Sequence, residues 1–152
     1  MATDKENGME KKTIFEIMNA NPAVHLATVE DGEPRVRVVF LYSAGEDGIV
    51  FHVGKYKEVY RQIAANPAVE LCFNDSARGV QIRVRGKLEE ITDHAFKDKI
   101  VNTPGREFLK KWRDSGEIAD FYDTVRVFAL RHGRAHAWSM DKNFAPKEWI
   151  TL

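Results

Sequence analysis

Two hydrophobic periods divide this chain. Several short segments alternate apolar with polar residues, the period of a half-buried strand. Others repeat apolar residues three and four apart, the period of an amphipathic helix. From Glu10 to Asn19, Ile14, Phe15, Ile17 and Met18 form a helical stripe. Asn21-Pro22 ends it, because the residue before a proline avoids the helical region. Residues 23–29 (A-V-H-L-A-T-V) read as a strand, Asp31-Gly32 as a hairpin turn, and residues 35–42 (R-V-R-V-V-F-L-Y) as the returning strand. A second turn leads into G-I-V-F-H-V from Gly48, the third strand of an antiparallel meander. A helix over 56–65, carried by Val59 and Ile63, interrupts the meander and stops at Asn66-Pro67. Strands follow over 68–73 and 80–86. In the latter Val80, Ile82 and Val84 share one face, and Gln81, Arg83 and Arg85 the other. Thr92-Asp93 caps a helix over 93–102. Thr103-Pro104-Gly105 breaks it, and a second helix runs through Phe108, Leu109 and Trp112. Residues 125–130 and 134–140 form a last hairpin across His132-Gly133. The tail beyond reads as irregular, with Phe144 and Trp149 as anchors.

Six or seven short strands without regular strand–helix alternation predict a mainly β fold, a small antiparallel barrel with flanking helices. The 152 residues suffice for one domain with a substantial core, expected over 10–152 behind a frayed polar tail at 1–9. Twenty-three basic residues balance twenty-three acidic ones. Nothing therefore draws the molecule at long range to nucleic acid or an anionic membrane, and positive charge acts only locally. No apolar run approaches the roughly 20 residues that cross a bilayer. The first residues are polar, unlike a signal peptide, so the expected address is cytoplasmic. Cys72, the single cysteine, lies in A-V-E-L-C-F and reads as a packed small apolar group in preference to a reactive thiol.

Candidate chemistry gathers between Arg35 and Asn66. Arg35 and Arg37 are two apart on a strand and project from one face, roughly 6.5–7 Å apart. Two guanidinium forks at that spacing can grip one phosphate. Lys55 and Lys57 sit where the next strand turns into a helix, and a helix start offers unpaired backbone N–H groups to an anion. The competing reading is a solvated basic strand face. Gln81 both donates and accepts and suits the edge of a heterocycle, or is simply exposed. Trp138 either walls a planar ligand or fills the core. His25, His52, His94, His132 and His136 are scattered without a cysteine cluster, so no metal site is expected. Walker, G-x-G-x-x-G and G-x-S-x-G motifs do not occur.

Three segments in order carry a resemblance. L-A-T-V-E-D-G-E-P-R-V-R-V-V-F, F-H-V-G-K-Y-K-E-V-Y-R-Q-I-A-A-N-P-A-V and V-Q-I-R-V-R-G-K-L-E-E-I resemble the FMN-binding split-barrel family typified by pyridoxamine 5'-phosphate oxidase. The similarity covers about residues 10–140 and is greatest to short members of the general-stress and nitroimidazole-resistance types. It implies an antiparallel split β-barrel holding FMN at a homodimer interface. Arg37 and Lys57 match the family's arginine and lysine on the FMN phosphate, and Lys55 falls where the family often has a small polar or basic phosphate contact. Val38 and Val39 match positions along the isoalloxazine, His52 and Val53 the F-x-T segment, and Gln81 a glutamine near the flavin. Trp138 falls near an aromatic that shorter members place by the ring. Val53 stands where a threonine is usual. The final strand reads H-A-W-S-M where pyridoxamine-phosphate oxidases carry R-x-H, and T-P-G-R-E is a faint echo of their Arg-Pro segment.

The expected function is that of an FMN flavoprotein, an oxidoreductase acting on a small molecule, with no catalytic acid or base legible. A flavin carrier or redox or stress sensor without turnover is the alternative. A deazaflavin or haem in place of FMN stays open. A barrel binding single-stranded nucleic acid, permitted by basic residues near Tyr56 and Tyr60, is disfavoured by the neutral net charge.

Overall fold

The computed structural model describes residues 9–152. The frayed tail expected over 1–9 lies, Met9 apart, outside the described residues. Helix α1 (Lys11–Ala20) leads into strands β1 (Ala23–Glu30) and β2 (Glu33–Gly45), whose turn holds Asp31 at φ 52° and Gly32 at φ 77°. Two successive left-handed residues match the twist of the flanking strands, and glycine takes one without steric cost. Next come β3 (Gly48–Gly54), α2 (Glu58–Ala65), β4 (Ala68–Asp75) and β5 (Val80–Ile91). Helices α3 (His94–Val101), α4 (Glu107–Ser115) and α5 (Phe121–Thr124) precede β6 (Val125–Leu130) and β7 (Arg134–Ser139). A 3-10 turn over Met140–Lys142 and a short β8 (Ile150–Thr151) end the chain.

Six strands close a barrel in the order β1-β2-β3-β6-β5-β4, with β4 paired back to β1 and every pairing antiparallel. The length of β5 permits closure: Val80–Lys87 pairs with β4, while Leu88–Ile91 pairs with β6. β7 lies against the first half of β5 on its other edge, and β8 against β7. The alternation read in β5 holds, since Ile82 and Val84 are fully buried in the barrel core. Leu26, Phe51, Leu71 and Phe73 fill the same core, and α1 packs on it through Ile14, Ile17 and Met18.

β3 reads as an almost unbroken apolar run because both its faces are covered. Ile49, Phe51 and Val53 point into the barrel. Val50 belongs to a second core outside it, with Ile100, Val101, Leu109, Phe121 and Val127. His52 shares the outer face with Val50, because successive strand side chains alternate. The sequence of β3 thus docks the helical excursion against β3 and β6, beside His52.

Three expectations change. Phe144 is 98% exposed and anchors nothing, whereas Trp149 stacks on the Arg85 guanidinium at 4.4 Å. The tail is not wholly irregular, because Ile150 and Thr151 pair with β7. Cys72 lies not in the core but half-buried on the outer face, paired across to His25 and Arg83. Burial pushes its thiol pKa up, which disfavours the thiolate. No helix among the described residues is long and apolar enough to cross a membrane.

Candidate functional site

A groove of about 1280 Å³ lies where β2, β3, the start of α2 and the start of α4 meet. Its floor is the outer face of β2. Val36, Val38 and Phe40 are 68%, 46% and 61% exposed there, and Tyr56 and Phe108 add exposed rings. Isolated apolar residues on a surface need no explanation, but a contiguous strip beside cations marks a ligand or partner surface. The volume exceeds what a typical small ligand needs.

Four cations were read from the sequence toward one anion, and the structure divides them. Arg35 pairs with Glu33 at 3.1 Å on its own hairpin, and Lys55 with Asp123 at 2.8 Å, turned toward α5. Arg37 and Lys57 line the groove, and among the described residues neither forms an ion pair. Lys57 Nζ lies only over the Tyr56 ring, 5.8 Å from its centre. Lys57 is also the residue before the first turn of α2, which no side chain caps. The first-turn N–H groups of Glu58 and Val59 and the Lys57 side chain thus belong to one corner of the groove, a setting suited to an anion. Glu58, also on the groove, is the carboxylate that most opposes the lowering of the Arg37 pKa by burial.

A buried polar network fixes Arg37. Its Nη1 donates to Thr28 Oγ1 at 2.7 Å and to the Leu26 carbonyl at 3.3 Å, and its Nη2 donates to Gln62 Oε1. Thr28 donates to the same Gln62 oxygen at 2.6 Å, and Gln62 Nε2 donates to Glu30 at 2.6 Å. Thr28 and Gln62 are both buried. Hydrogen bonds from Gln62 and then Arg61 hold the Glu30 carboxyl below its ordinary pKa. Partial burial lowers the Arg37 pKa, but a guanidinium stays charged at neutral pH. The network engages both Nη atoms of Arg37, and among the described residues Nε makes no hydrogen bond. Gln62 was missed in the sequence. Its signal was a polar residue in the buried stripe of Val59, Gln62 and Ile63.

At the other end of the groove stand His52 and Arg106. Burial, and then the neighbouring Arg106, hold the His52 pKa down to about 4, so the imidazole is neutral at pH 7. Its Nδ1 is buried without a hydrogen-bond partner. Between pH 6.5 and 4 the unfolded chain protonates this histidine and the folded chain does not. Stability is therefore full above pH 6.5 and falls toward pH 4, by about 3 kcal/mol at most. His52→Phe should flatten that decline in urea unfolding series at pH 7 and 4.5. An identical decline in both proteins would place the acid sensitivity elsewhere.

Arg35, Arg37, Val38, Val39, His52, Val53 and Lys57 thus line one groove, while Lys55 does not. Gln81 and Trp138 also lie outside it. They face each other across β5 and β7, where Trp138 Nε1 donates to Asn143 at 3.0 Å. Arg106, Phe108 and Trp112 complete the groove and were not singled out as site residues in the sequence.

A family model for pyridoxamine 5'-phosphate oxidase matches residues 11–137. A pyridoxine/pyridoxamine 5'-phosphate oxidase from Bradyrhizobium sp. is 33% identical over 96 residues, 62% of this chain and 44% of that protein. One from Mannheimia succiniciproducens is 34% identical over 98 residues, 62% of this chain and 46% of that protein. The matched region is less than half the length of these relatives. Among solved structures, a NimC/NimA family protein from Clostridium acetobutylicum superposes with a TM-score of 0.73 at 20% identity, over 93% of this chain and 92% of that one. A pyridoxamine 5'-phosphate oxidase-related, FMN binding protein from Nostoc punctiforme gives 0.64 at 16% identity, over 95% and 97%. At these identities the likeness is one of fold, and it agrees with the split barrel expected from the sequence.

Proposed function

The chain belongs to the pyridoxamine 5'-phosphate oxidase family, and on that premise we propose that it binds FMN in the β2–β3 groove and acts as an FMN-dependent oxidoreductase on a small molecule. The observation that carries the reading is the pair Arg37 and Lys57. Both line the groove without an ion-pair partner, beside the uncapped start of α2. A phosphate there completes two charges and the first-turn N–H groups together. The exposed strip of Val36, Val38 and Phe40 suits a flat apolar ring along β2.

Bound FMN would supply the redox chemistry. The protein would supply the phosphate clamp, the apolar wall and the exclusion of water. The same exposed strip supports a homodimer with the flavin at the interface, since a second copy would cover what one protomer leaves open. In that arrangement the Gln81–Trp138 patch of the second copy is the surface assigned to the flavin. Oxidation of pyridoxamine phosphate itself is not part of the proposal, because H-A-W-S-M replaces the R-x-H motif. The test is the visible spectrum of the purified protein with mass identification of the released cofactor. Flavin bands and FMN support the reading. A Soret band, or a colourless protein that takes up no added FMN, contradicts it.

A further inference from the structure

Arg106 lies outside the phosphate clamp and, unlike Arg35, has no ion-pair partner among the described residues. It precedes the first turn of α4 and is tied to β2 by Nη2, which donates to the Leu41 carbonyl at 2.6 Å. Arg37 lies four residues before Leu41 on the same strand, and four residues of strand span roughly 13 Å. The two guanidinium groups therefore belong to opposite ends of the groove, with Val38 and Phe40 between them. Arg106 is half-buried, and among the described residues Tyr42, not a carboxylate, is the group that acts on its charge. A partly desolvated charge without a counter-ion is costly unless something completes it.

The surroundings define what completes it. His52 lies beside Phe40, since Leu41 pairs with Phe51 in the adjacent register. Its buried Nδ1 has no partner. The Phe108 ring, 43% exposed, stands 6.4 Å from the imidazole and 5.3 Å from Trp112, edge on to the latter. One end of the groove thus combines an exposed aromatic face, a neutral ring nitrogen and a guanidinium with Nε and Nη1 unspent.

We propose that Arg106, with His52 and Phe108, forms the reactant's end of the groove and selects a flat aromatic carboxylate. The choice of carboxylate follows from charge. A single guanidinium with two spare donors matches one negative charge bidentately, whereas a dianionic phosphate is better served by the paired cations at the Arg37 end. The aromatic part follows from Phe108, which stacks on a flat ring and offers nothing polar. The identification of this ligand as the reactant rests on the flavin reading above. Its test reads binding alone and does not.

The experiment is isothermal titration calorimetry of the purified protein, its flavin content measured first, with 1-naphthoate and the neutral 1-naphthamide. Naphthoate should bind about ten-fold or more tightly than the amide, one tenfold step being the smallest worth of a charge-assisted pair. Arg106→Gln should erase that preference by weakening naphthoate far more than the amide, with flavin content as in wild type. Arg106→Lys should retain part of the preference, since it keeps charge but not the fork. Phe108→Ala should weaken both ligands together. Equal affinities for acid and amide in the wild type, no heat from either, or undiminished naphthoate binding in a folded Arg106→Gln protein would overturn the proposal. A protein that binds naphthoate as expected but carries no flavin and takes up no added FMN would sink the flavin reading and leave this subsite standing.

Discussion

The Arg37→Ala/Lys57→Ala double variant should purify without flavin and bind added FMN about 10²–10⁴-fold more weakly than wild type. Each charge-assisted contact to a phosphate contributes about 1.5–3 kcal/mol, and two of them give that range. The singles are not equivalent. Lys57 touches only the Tyr56 ring, so Lys57→Ala removes a ligand contact and little else. Arg37→Ala also strips partners from Thr28 and Gln62 and should lower stability as well. The controls matter as much. Lys55 is engaged by Asp123 and Arg35 by Glu33. Each is a partly exposed pair of small energetic weight, so Lys55→Ala and Arg35→Ala should change FMN affinity by no more than about threefold. Fluorescence titration of the double variant and the four single variants measures these affinities. A double variant that remains yellow at full occupancy ends the assignment of the clamp.

Gln62→Leu should be the most damaging single change away from the groove surface. The side chain is almost isosteric, so little volume is lost, yet every polar contact goes. Thr28 and Arg37 lose a shared acceptor, and Glu30 loses one of its two donors, at 2.6 Å, keeping Arg61. Buried groups left unpaired cost about 1–3 kcal/mol each, so a loss of roughly 2–4 kcal/mol in urea unfolding is expected after relaxation. Adding Thr28→Val should recover part of it, because a hydroxyl without an acceptor is then replaced by a methyl of the same shape. FMN affinity should fall about ten-fold as the Arg37 fork loses its orientation. A cost below about 1 kcal/mol would show that water replaces the amide and that the network does not fix Arg37.

Local rules account for much of what the sequence predicted. Asp31-Gly32 requires two left-handed residues, and the turn has them. Val80, Ile82 and Val84 alternate because one face of β5 is packed, and Asp93 caps α3 with its side chain, accepting from the Ala95 N–H. The barrel itself was expected, but the strand that closes it on β3 was not legible, because β6 lies far along the chain and no periodicity encodes a long-range partner. The same limit hid the pairing of Lys55 with Asp123. The loss of Arg35 from the clamp had a visible cause, since Glu33 sits two residues away on the same strand face. Arg106 follows a Pro-Gly break that announces a loop and says nothing of a groove. Phe144 was expected to anchor the tail on hydrophobicity alone, and only the packing around Trp149 shows which aromatic does so.

The central claim is that Arg37 and Lys57 hold a phosphate. Calorimetric titration of flavin-free protein with FMN and with riboflavin, which differ only in that group, tests it most directly. The account predicts that FMN binds at least about 100-fold more tightly, in keeping with two charge-assisted contacts, and that the double alanine variant cannot tell the two apart. Equal affinity of the wild type for FMN and riboflavin would contradict it.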